Sequence, residues 1–367
     1  MQNHSIVITG STSINSFRKL FESCIEREGL HTKYRQNAPD LWTISSEELP
    51  YLPVAYSNAS IDYQIAYHKE GEKYGRTDID MMDVSLIIFN DNKPCSIWPL
   101  TISSNNLNID LNTCGNPTLP PLFHKNVSIN TIKRITRLCV DVLDNFYKKN
   151  RYNGIVKCES GHHDINLNEW HKYLMKKGAL AHVKHELYVD LSLDMREIKS
   201  KLRNRYKSFI TSGKKHWDIH ILNSANDHIW RKFHTLHLRA SGRTTRSENT
   251  WKLQHQQISE GTAILIYLND KKGNMVGGGL YSMTKDEGIY SVGAYDRNLF
   301  NKPLGHVVQW HAIQEMKCRG LQWYKIGRRF YPSDIPKPTD KEISISEFKE
   351  GFATHTIPKF ILHYDVK

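Results

Sequence analysis

Runs of apolar residues in the first half of the chain predict a β-hairpin followed by a helix and a strand. Two β-rich runs, VSLIIFN from Val84 and PCSIWPLTI from Pro94, flank a polar turn at residues 91–93, which is typical of a hairpin. A loop with proline and glycine follows at residues 114–121. Apolar residues then recur along one helical face, at Ile135, Cys139, Val142 and Phe146. This spacing predicts a helix that buries that face, and the run IVKCES predicts the next strand.

The second half of the chain repeats this order about 180 residues later. The runs TAILIYLND and NMVGGGLYSM flank residues 271–273, and a loop with proline and glycine follows at residues 301–305. The next helical row consists of Leu304, Val308, Ala312 and Met316, and the run LQWYKIG predicts the last strand of the repeat. Solenoid repeats span about 20–50 residues, so this period indicates duplication of a whole domain. The alternative is that any two α/β domains share this order.

We therefore predict an α/β (α+β) fold with two packed domains. The first domain is placed at residues 1–185 and the second at residues 186–367. We expect the C-terminal tail, about residues 353–367, to pack back on the first domain.

The segment between the two repeats predicts a basic helix that joins the domains. A short strand at residues 187–191 meets Ser192, a suitable N-cap, and Asp194 suits the first turn of a helix. Apolar residues recur on one face, at Ile198, Leu202, Tyr206 and Ile210. Gly213 is expected to end this helix.

The composition favours anionic partners. The chain of 367 residues has 50 Lys+Arg against 38 Asp+Glu, a net charge of +12, which is typical of proteins that bind nucleic acids, phosphorylated substrates or acidic membranes. No apolar run approaches the roughly 20 residues that span a bilayer, and no secretory signal is evident. The six cysteines are scattered without a CxxC pair. We therefore expect a cytoplasmic protein without disulfides or a structural zinc site.

Much of the positive charge is concentrated in the joining helix. Residues 196–215 contain eight basic residues and one acid, Glu197. A solvated basic face is one explanation, but few acids are available for pairing along the helix. Clefts between domains often bind ligands, and arginine binds phosphate oxygens bidentately. The cluster therefore suits a diphosphate or an RNA acceptor arm.

Several motifs resemble the FemAB-type acyltransferases. The string DLSLDMREIKSKLRNRYKSFITSGKKHWDIHI is similar to the basic segment that follows a D-L-S strand end in that family. The passage from Asn168 to Ala179, the helix WHAIQEMKCRG and the string SEFKEGF, close to the family's F-K-x-G-F, also fit. The resemblance runs from about residue 55 to the C-terminus.

This resemblance implies two tandem domains of the GNAT acyltransferase fold, joined by the basic helix, and acyl transfer to an amine. No tightly bound cofactor is implied, and the co-substrate would be aminoacyl-tRNA or acyl-CoA. The motif lysine maps onto Lys349, which would stabilise negative charge, with Phe348 beside it. Candidates for holding substrate phosphates follow from the basic segment: Arg203, Arg205, Tyr206 and Lys207.

The chain departs from the family at two points. Where family members often carry an Asp-Phe-Gly-Gly-like turn, this sequence reads KIGRR, so Lys325 and Arg328 become candidate substrate-binding residues. The long helical hairpin of some tRNA-using members has no counterpart, which weakens the tRNA interpretation. His237 and Arg243 are further candidates for lining the cleft, although a solvated or partly buried helix face also explains His237.

Glycines supply the candidate donor-binding positions. Gly278 and Gly279 lie inside the second hairpin, where a strand irregularity can expose backbone N–H groups to an oxyanion. A simple turn at a strand end is the alternative. Gly305 lies at a predicted helix start that could take a pyrophosphate. No histidine lies in a metal-ligand spacing, so no metal is expected, and His162, His163 and Asp164 are assigned to a surface loop.

Three functions remain open from the sequence. The first is a FemAB-like transferase that moves an aminoacyl or acyl group onto an amine of a phosphorylated cell-envelope precursor, such as a nucleotide sugar, muropeptide or surface glycan. The second is an acyl-CoA-dependent N-acyltransferase acting on a sugar or small-molecule amine. The third is a non-catalytic module that binds RNA or phosphate. The basic surface also allows peripheral contact with a membrane, and a lipid-linked acceptor or tRNA is an expected partner.

Overall fold

A computed structural model describes residues 14–69, 71–76, 79–104, 109–150, 155–159 and 167–365. Its helices are α1 (Ile14–Arg27), α2 (Pro39–Glu47), α3 (Asn58–His68), α4 (Ile129–Lys149), α5 (Glu169–Lys176), α6 (Met195–Lys201), α7 (Asn204–His216), α8 (Asp227–Ser241), α9 (Glu248–Ser259), α10 (Leu304–Cys318) and α11 (Asp340–Glu350). The sequence positions 162–164, assigned above to a loop, lie outside the described residues.

The strands complete a mixed α/β fold, as predicted. They are β1 (Thr32–Tyr34), β2 (Asp80–Asp83), β3 (Leu86–Asn90), β4 (Lys93–Trp98), β5 (Thr101–Ser104), β6 (Ile109–Asn112), β7 (Leu122–Phe123), β8 (Ile155–Glu159), β9 (Leu180–Asp190), β10 (Asp218–Leu222), β11 (Ala263–Asn269), β12 (Met275–Met283), β13 (Glu287–Tyr295), β14 (Trp323–Arg329) and β15 (His355–Asp365).

The chain divides into two compact units. The first contains residues 1–49, 77–181 and 361–367, and the second contains residues 50–76 and 182–360. The predicted boundary at residues 185 and 186 lies close to the change of unit at residue 182, whereas residues 50–76 group with the second unit. The division into independently folding domains stays a prediction.

The first unit contains the predicted hairpin and helix. Strands β3 and β4 pair antiparallel in a sheet of order β1-β3-β4-β7, and β2, β5 and β6 form a second sheet. The predicted helical row on α4 is buried in the core of this unit, at Ile135, Cys139, Val142 and Phe146. The end of β15, at residues 361–365, pairs antiparallel with β8.

The second unit is built on one sheet that has helices on both faces. Its strands run in the order β10-β11-β12-β13-β14-β9-β15. Alternate residues of β11 enter two different cores: Ile264, Ile266 and Leu268 pack with α6, α7 and α10, whereas Leu265 and Tyr267 pack with α8 and α9. This is the two-faced burial that alternation along a strand produces. The predicted α10 row is buried in the first of these cores.

The predicted single basic helix is wrong, because the segment forms two helices. Its N-cap is Asp194 and not Ser192, since the Asp194 side chain accepts the N–H of Glu197 and the Glu197 side chain accepts the N–H of Asp194. Leu202 is extended, with φ −61° and ψ 143°, and the Arg203 N–H donates to the carbonyl of Gly351. This distant hydrogen bond replaces a helical one and separates α6 from α7.

Gly213 does not end α7, which continues to His216. A Cβ on Gly213 would lie 2.3 Å from Cγ2 of Val307 and 3.0 Å from the carbonyl oxygen of Pro303. The glycine is therefore explained by the close approach of α7 to the start of α10, not by a left-handed cap. Across the part of the chain that the structure describes, no helix has both the length and the apolar character needed to cross a membrane.

Candidate active site

The FKEGF motif lies at the end of α11 and packs against α7 and α10. Phe352 is fully buried, and its ring centroid lies 4.8 Å from that of Tyr206 on α7. The Tyr206 hydroxyl donates to the carbonyl of Phe348 at 3.1 Å. A Cβ on Gly351 would lie 2.2 Å from the Tyr206 ring, so only glycine fits at that position. The motif thus fixes the end of α11 and the direction of Lys349.

The Lys349 amine lies beside an irregular point of β14. Gly327 has φ +138°, and a Cβ there would lie 2.9 Å from Lys349 Nζ. The amine lies 5.5 Å from the ring centroid of Tyr290. No carboxylate among the described residues lies within ion-pair distance of Lys349. Burial lowers the pKa of Lys349 because desolvation disfavours its charged form. A lysine that no carboxylate among the described residues neutralises is thus held at this point.

A bulge in β13 brings together the hydroxyls of two tyrosines, one of which is the Tyr290 whose ring lies beside this lysine. The register of β12 and β13 shifts between Leu280 and Tyr281, so that Ser291 has no residue directly opposite it on β12. The extra residue reverses the alternation along β13, and Tyr290 and Tyr295 come to one face with their hydroxyls 3.3 Å apart. A Cβ on Gly293 would lie 1.8 Å from the Tyr290 hydroxyl. Glycine at this position therefore makes room for Tyr290.

Burial keeps these tyrosines neutral. It raises the pKa of Tyr290 and Tyr295 above the usual value for a phenol, and the same holds for Tyr281 and Tyr324 behind them. The Tyr324 hydroxyl donates to the Gln309 side chain. A neutral phenol can donate a hydrogen bond to an oxyanion. Tyr290 is the candidate among these tyrosines, because its ring centroid lies 5.5 Å from the Lys349 amine.

The protein's own side chains fill the space beside the three glycines that were predicted to bind the donor. A Cβ on Gly278 would lie 3.2 Å from the ring of Phe233, and one on Gly279 would lie 2.8 Å from the Tyr281 hydroxyl. A Cβ on Gly305 would lie 3.1 Å from Phe348 Cζ. Gly305 therefore adjoins the FKEGF motif, whereas Gly278 packs against α8. Their roles in donor binding stay predictions.

The basic residues of α7 and its cap differ in their partners. Arg203 donates to the carbonyl of Glu347 at 3.1 Å and lies 3.9 Å from the carboxylate of Glu350. Lys207 is 3.3 Å from the carbonyl of Ser200. Arg205 is exposed, and among the described residues no carboxylate pairs with it. Arg205 is thus the member of this group with the most freedom to meet a ligand.

The remaining predicted cations on β14 are held in ion pairs. Lys325 pairs with Glu186 on β9 at 2.7 Å. Arg328 pairs with Asp334 at 3.0 Å and lies over the ring of Phe330. A cation that is paired with a carboxylate attracts a substrate phosphate less strongly than an unpaired one.

A buried arginine that sequence reasoning missed, Arg246, lies close to His237 and follows Arg243 by three positions in the chain. Arg246 is only 5% exposed. Its guanidinium stacks 3.8 Å from the ring centroid of Trp251 and donates to the Tyr63 hydroxyl at 2.7 Å. The Nε and Nη2 atoms of Arg246 are buried and have no hydrogen-bond partner among the described residues. In the described part of the chain, no carboxylate pairs with this guanidinium.

The surroundings of Arg246 are positive. Burial and Arg246 itself lower the pKa of His237 to about 4, so this imidazole is neutral at pH 7. Arg76 lies over the Tyr67 ring and donates to the carbonyls of Tyr67 and Thr245. Arg243 donates to the carbonyl of Tyr74 at 3.0 Å. An unpaired buried charge costs several kcal/mol, about 3–5 when a partner is removed, so this arrangement is suited to an anion. Within the described ranges, no group of His, Cys, Asp and Glu is arranged to hold a metal ion.

Solved structures share this fold at low sequence identity. FemX gives a TM-score of 0.64 at 10% identity, over 90% of this chain and 96% of FemX. L-PGS from Bacillus licheniformis gives 0.54 at 12% identity, over 90% of this chain and 92% of L-PGS. A conserved protein of unknown function from Bacteroides thetaiotaomicron gives 0.54 at 8% identity, over 89% and 96% of the two chains. No protein-family model matches the sequence, and a search of curated proteins finds no match. The fold expected from the FemAB-type resemblance is confirmed by the similarity to FemX.

Proposed function

We propose that this chain is an acyltransferase that moves an aminoacyl or acyl group onto an amine of a phosphorylated cell-envelope precursor. The acceptor would be a nucleotide sugar, a muropeptide or a surface glycan. The observation that carries the proposal is the Lys349 amine, which lies against Gly327 and beside Tyr290 without a carboxylate among the described residues. The similarity of the fold to FemX and L-PGS supports it.

The proposed reaction is direct aminolysis. The neutral acceptor amine attacks the ester or thioester carbonyl of the donor, and a C–N bond forms. Negative charge develops on the carbonyl oxygen, where the Lys349 ammonium and the Tyr290 hydroxyl stabilise it. The C–O or C–S bond then breaks, and the proton lost by the amine passes to the leaving oxygen or sulfur. No covalent enzyme intermediate is required, because the substrate amine is itself the nucleophile.

Arg246 is the group that we assign to the acceptor phosphate. Its buried Nε and Nη2 atoms carry N–H groups without a partner in the described part of the chain, and a guanidinium can bind two phosphate oxygens at once. His237 and Arg243 adjoin the same cluster. Arg203 and Lys325 contribute less in this scheme, because each already has a carboxylate nearby.

The experiment that tests the proposal is a transfer assay with defined donors. The purified chain is incubated with a nucleotide-linked muropeptide and with either aminoacylated tRNA, with and without RNase, or labelled acetyl-CoA. We expect a mass increase of one acyl group on the acceptor amine. Product from acetyl-CoA alone would select the CoA-dependent alternative. RNA or phosphate binding without product from any donor would contradict an enzyme and favour the non-catalytic module.

A further inference from the structure

Four tyrosines of the second unit converge on one face of its sheet, above a floor of glycines. Gly279 on β12 and Gly293 on β13 lie directly opposite each other. A Cβ on Gly279 would lie 2.8 Å from the Tyr281 hydroxyl, and one on Gly293 would overlap the Tyr290 hydroxyl. Directly paired residues have Cβ positions about 4.5–5.5 Å apart. The two hydroxyls therefore lie over neighbouring points of the sheet.

The other two phenols and one amide complete this group. The Tyr295 hydroxyl lies 3.3 Å from that of Tyr290, and the ring centroid of Tyr324 lies 5.8 Å from that of Tyr281. The Tyr324 hydroxyl donates to the side-chain oxygen of Gln309 on α10. Burial raises the pKa of all four phenols, so they are neutral at pH 7. These four phenols and Gln309 form an uncharged group of side chains, the tyrosine cluster.

Two polar atoms of the tyrosine cluster lack a partner. The Tyr281 hydroxyl and the Nε2 atom of Gln309 are buried, and neither has a hydrogen-bond partner among the described residues. Folded proteins pair the large majority of buried polar groups, because a buried group without a partner loses its hydration and gains nothing in return. Tyr290 and Tyr295 are partly exposed, so a ligand can reach the cluster from their side. The two unpaired atoms thus point to a ligand that supplies their partners.

The unpaired atoms define the chemistry of that ligand. The Nε2 atom of Gln309 can only donate a hydrogen bond, whereas the Tyr281 hydroxyl can donate and accept. The ligand group must therefore accept, which excludes a methyl group and an ammonium. A carboxylate would accept but would bring a charge among neutral groups. A hydroxyl both donates and accepts, and it is small enough for a site where tyrosine rings already fill the space above the glycines.

We propose that the tyrosine cluster receives the transferred acyl group and selects one that carries a hydroxyl near its carbonyl. The inference rests on the proposed function, in which Tyr290 and Lys349 meet the donor carbonyl, and it concerns the acyl group whichever carrier delivers it. The Tyr290 ring lies 5.5 Å from the Lys349 amine and 5.4 Å from the Tyr281 ring, so the carbonyl and its substituent occupy adjoining places. Tyr281 and Gln309 are then the residues that determine specificity.

The test is a competition between donors that differ by one hydroxyl. Seryl and alanyl esters of the same tRNA are mixed in equal amounts, as are hydroxyacetyl-CoA and acetyl-CoA, and the masses of the products on the muropeptide acceptor are compared. We expect the hydroxyl-bearing acyl group to be transferred at least tenfold faster than its partner. A site that hydrogen-bonds a substrate hydroxyl discriminates strongly against the analogue that lacks it. A preference below tenfold would overturn the inference and leave the transferase proposal standing.

Tyr281→Phe removes only the unpaired hydroxyl and should lower this ratio at least tenfold. The matched control is Tyr364→Phe, because the Tyr364 hydroxyl is also buried without a partner among the described residues but lies in the first unit. The control should keep the ratio of the unaltered chain. Neither change breaks a hydrogen bond among the described residues, so thermal unfolding should show both variants folded. An unchanged ratio in folded Tyr281→Phe would overturn the inference.

A binding measurement separates this inference from the proposed function. Stable analogues with an amide in place of the reactive ester or thioester bind without reacting, and calorimetry gives their affinities. We expect the seryl or hydroxyacetyl analogue to bind at least tenfold more tightly than its alanyl or acetyl counterpart, and Tyr281→Phe to remove the difference. This result without any transfer would support the tyrosine cluster as a binding site while the transferase proposal fails. Equal affinities, or no binding of any analogue, would overturn the inference.

Discussion

The amine of Lys349 occupies the space that a side chain on Gly327 would need, since an ideal Cβ there would lie 2.9 Å from Nζ. Gly327 also has φ +138°, a backbone conformation that residues other than glycine adopt only at a cost of about 1–3 kcal/mol. The irregular point of β14 and the last turn of α11 thus depend on each other. This dependence leads to the first prediction.

Gly327→Ala should displace the Lys349 amine and reduce the transfer rate at least tenfold. The matched control is Gly320→Ala, because Gly320 also has a positive φ, +80°, but open space around its Cβ position. Both variants place an alanine at a positive φ, but only the Cβ of Gly327→Ala would contact the Lys349 amine. Steady-state kinetics and thermal unfolding of both variants separate the two effects. Equal activity in the two variants would contradict the assigned position of the amine.

The second prediction concerns pH. The pKa of Lys349 is lowered from 10.5 by burial. Below that pKa the ammonium is present and stabilises the oxyanion; the charge is lost as the pH rises through it. The turnover number should therefore fall on the alkaline side with a midpoint below 10.5. Lys349→Arg should move this fall to higher pH, because guanidinium stays protonated. An active arginine variant with an unchanged alkaline profile would exclude Lys349 as the titrating group.

The third prediction concerns Arg246, where function and stability should change in opposite directions. Arg246→Gln removes a buried charge whose Nε and Nη2 have no partner among the described residues, so the free protein should be as stable as the unaltered chain or more stable. The KM for the phosphorylated acceptor should rise at least tenfold, with a small change in kcat. Thermal unfolding without substrate and acceptor titration are the two measurements. A less stable protein with an unchanged KM would show that Arg246 is a structural residue.

The fourth prediction tests the contact that orients the motif. A Cβ on Gly351 would lie 2.2 Å from the Tyr206 ring, so Gly351→Ala should destabilise the second unit by about 1–3 kcal/mol, the usual effect of overpacking. In a chain that already carries Tyr206→Ala, the ring is absent, and Gly351→Ala should destabilise the protein less than it does alone. Denaturant unfolding of the four proteins gives the coupling energy. Additive changes in the free energy of unfolding would mean that a side chain at position 351 does not clash with the Tyr206 ring.

The sequence predicted the elements whose signals are local. The helical rows of α4 and α10 are buried as their spacing required. The break at Leu202 could not be predicted, because it depends on a hydrogen bond from Arg203 to Gly351, far along the chain. Helical periodicity continues through Leu202, which is itself buried, so the pattern alone favours one helix.

The candidate site was accessible to sequence reasoning only in part. The FKEGF motif gave Lys349 as a candidate, a role that stays a prediction, and Gly305 adjoins Phe348. Arg246 was missed because its partner Tyr63 lies 183 positions away in the chain, and the surrounding residues, TTRSE, show no distinctive pattern. Its burial follows from tertiary packing on Trp251. The bulge at Ser291 was likewise invisible, although the glycine at 293 is a signal that could have indicated it.

The most direct test of the central claim is the single-turnover rate of acyl transfer in Lys349→Met. The control is Lys341→Met, on the exposed first turn of the same helix. With saturating donor and acceptor, the account predicts that the first variant reacts at least a hundredfold more slowly than the unaltered chain, about the effect of removing one oxyanion-stabilising donor, and that the control reacts at the normal rate. Transfer by Lys349→Met at the rate of the control would contradict the account.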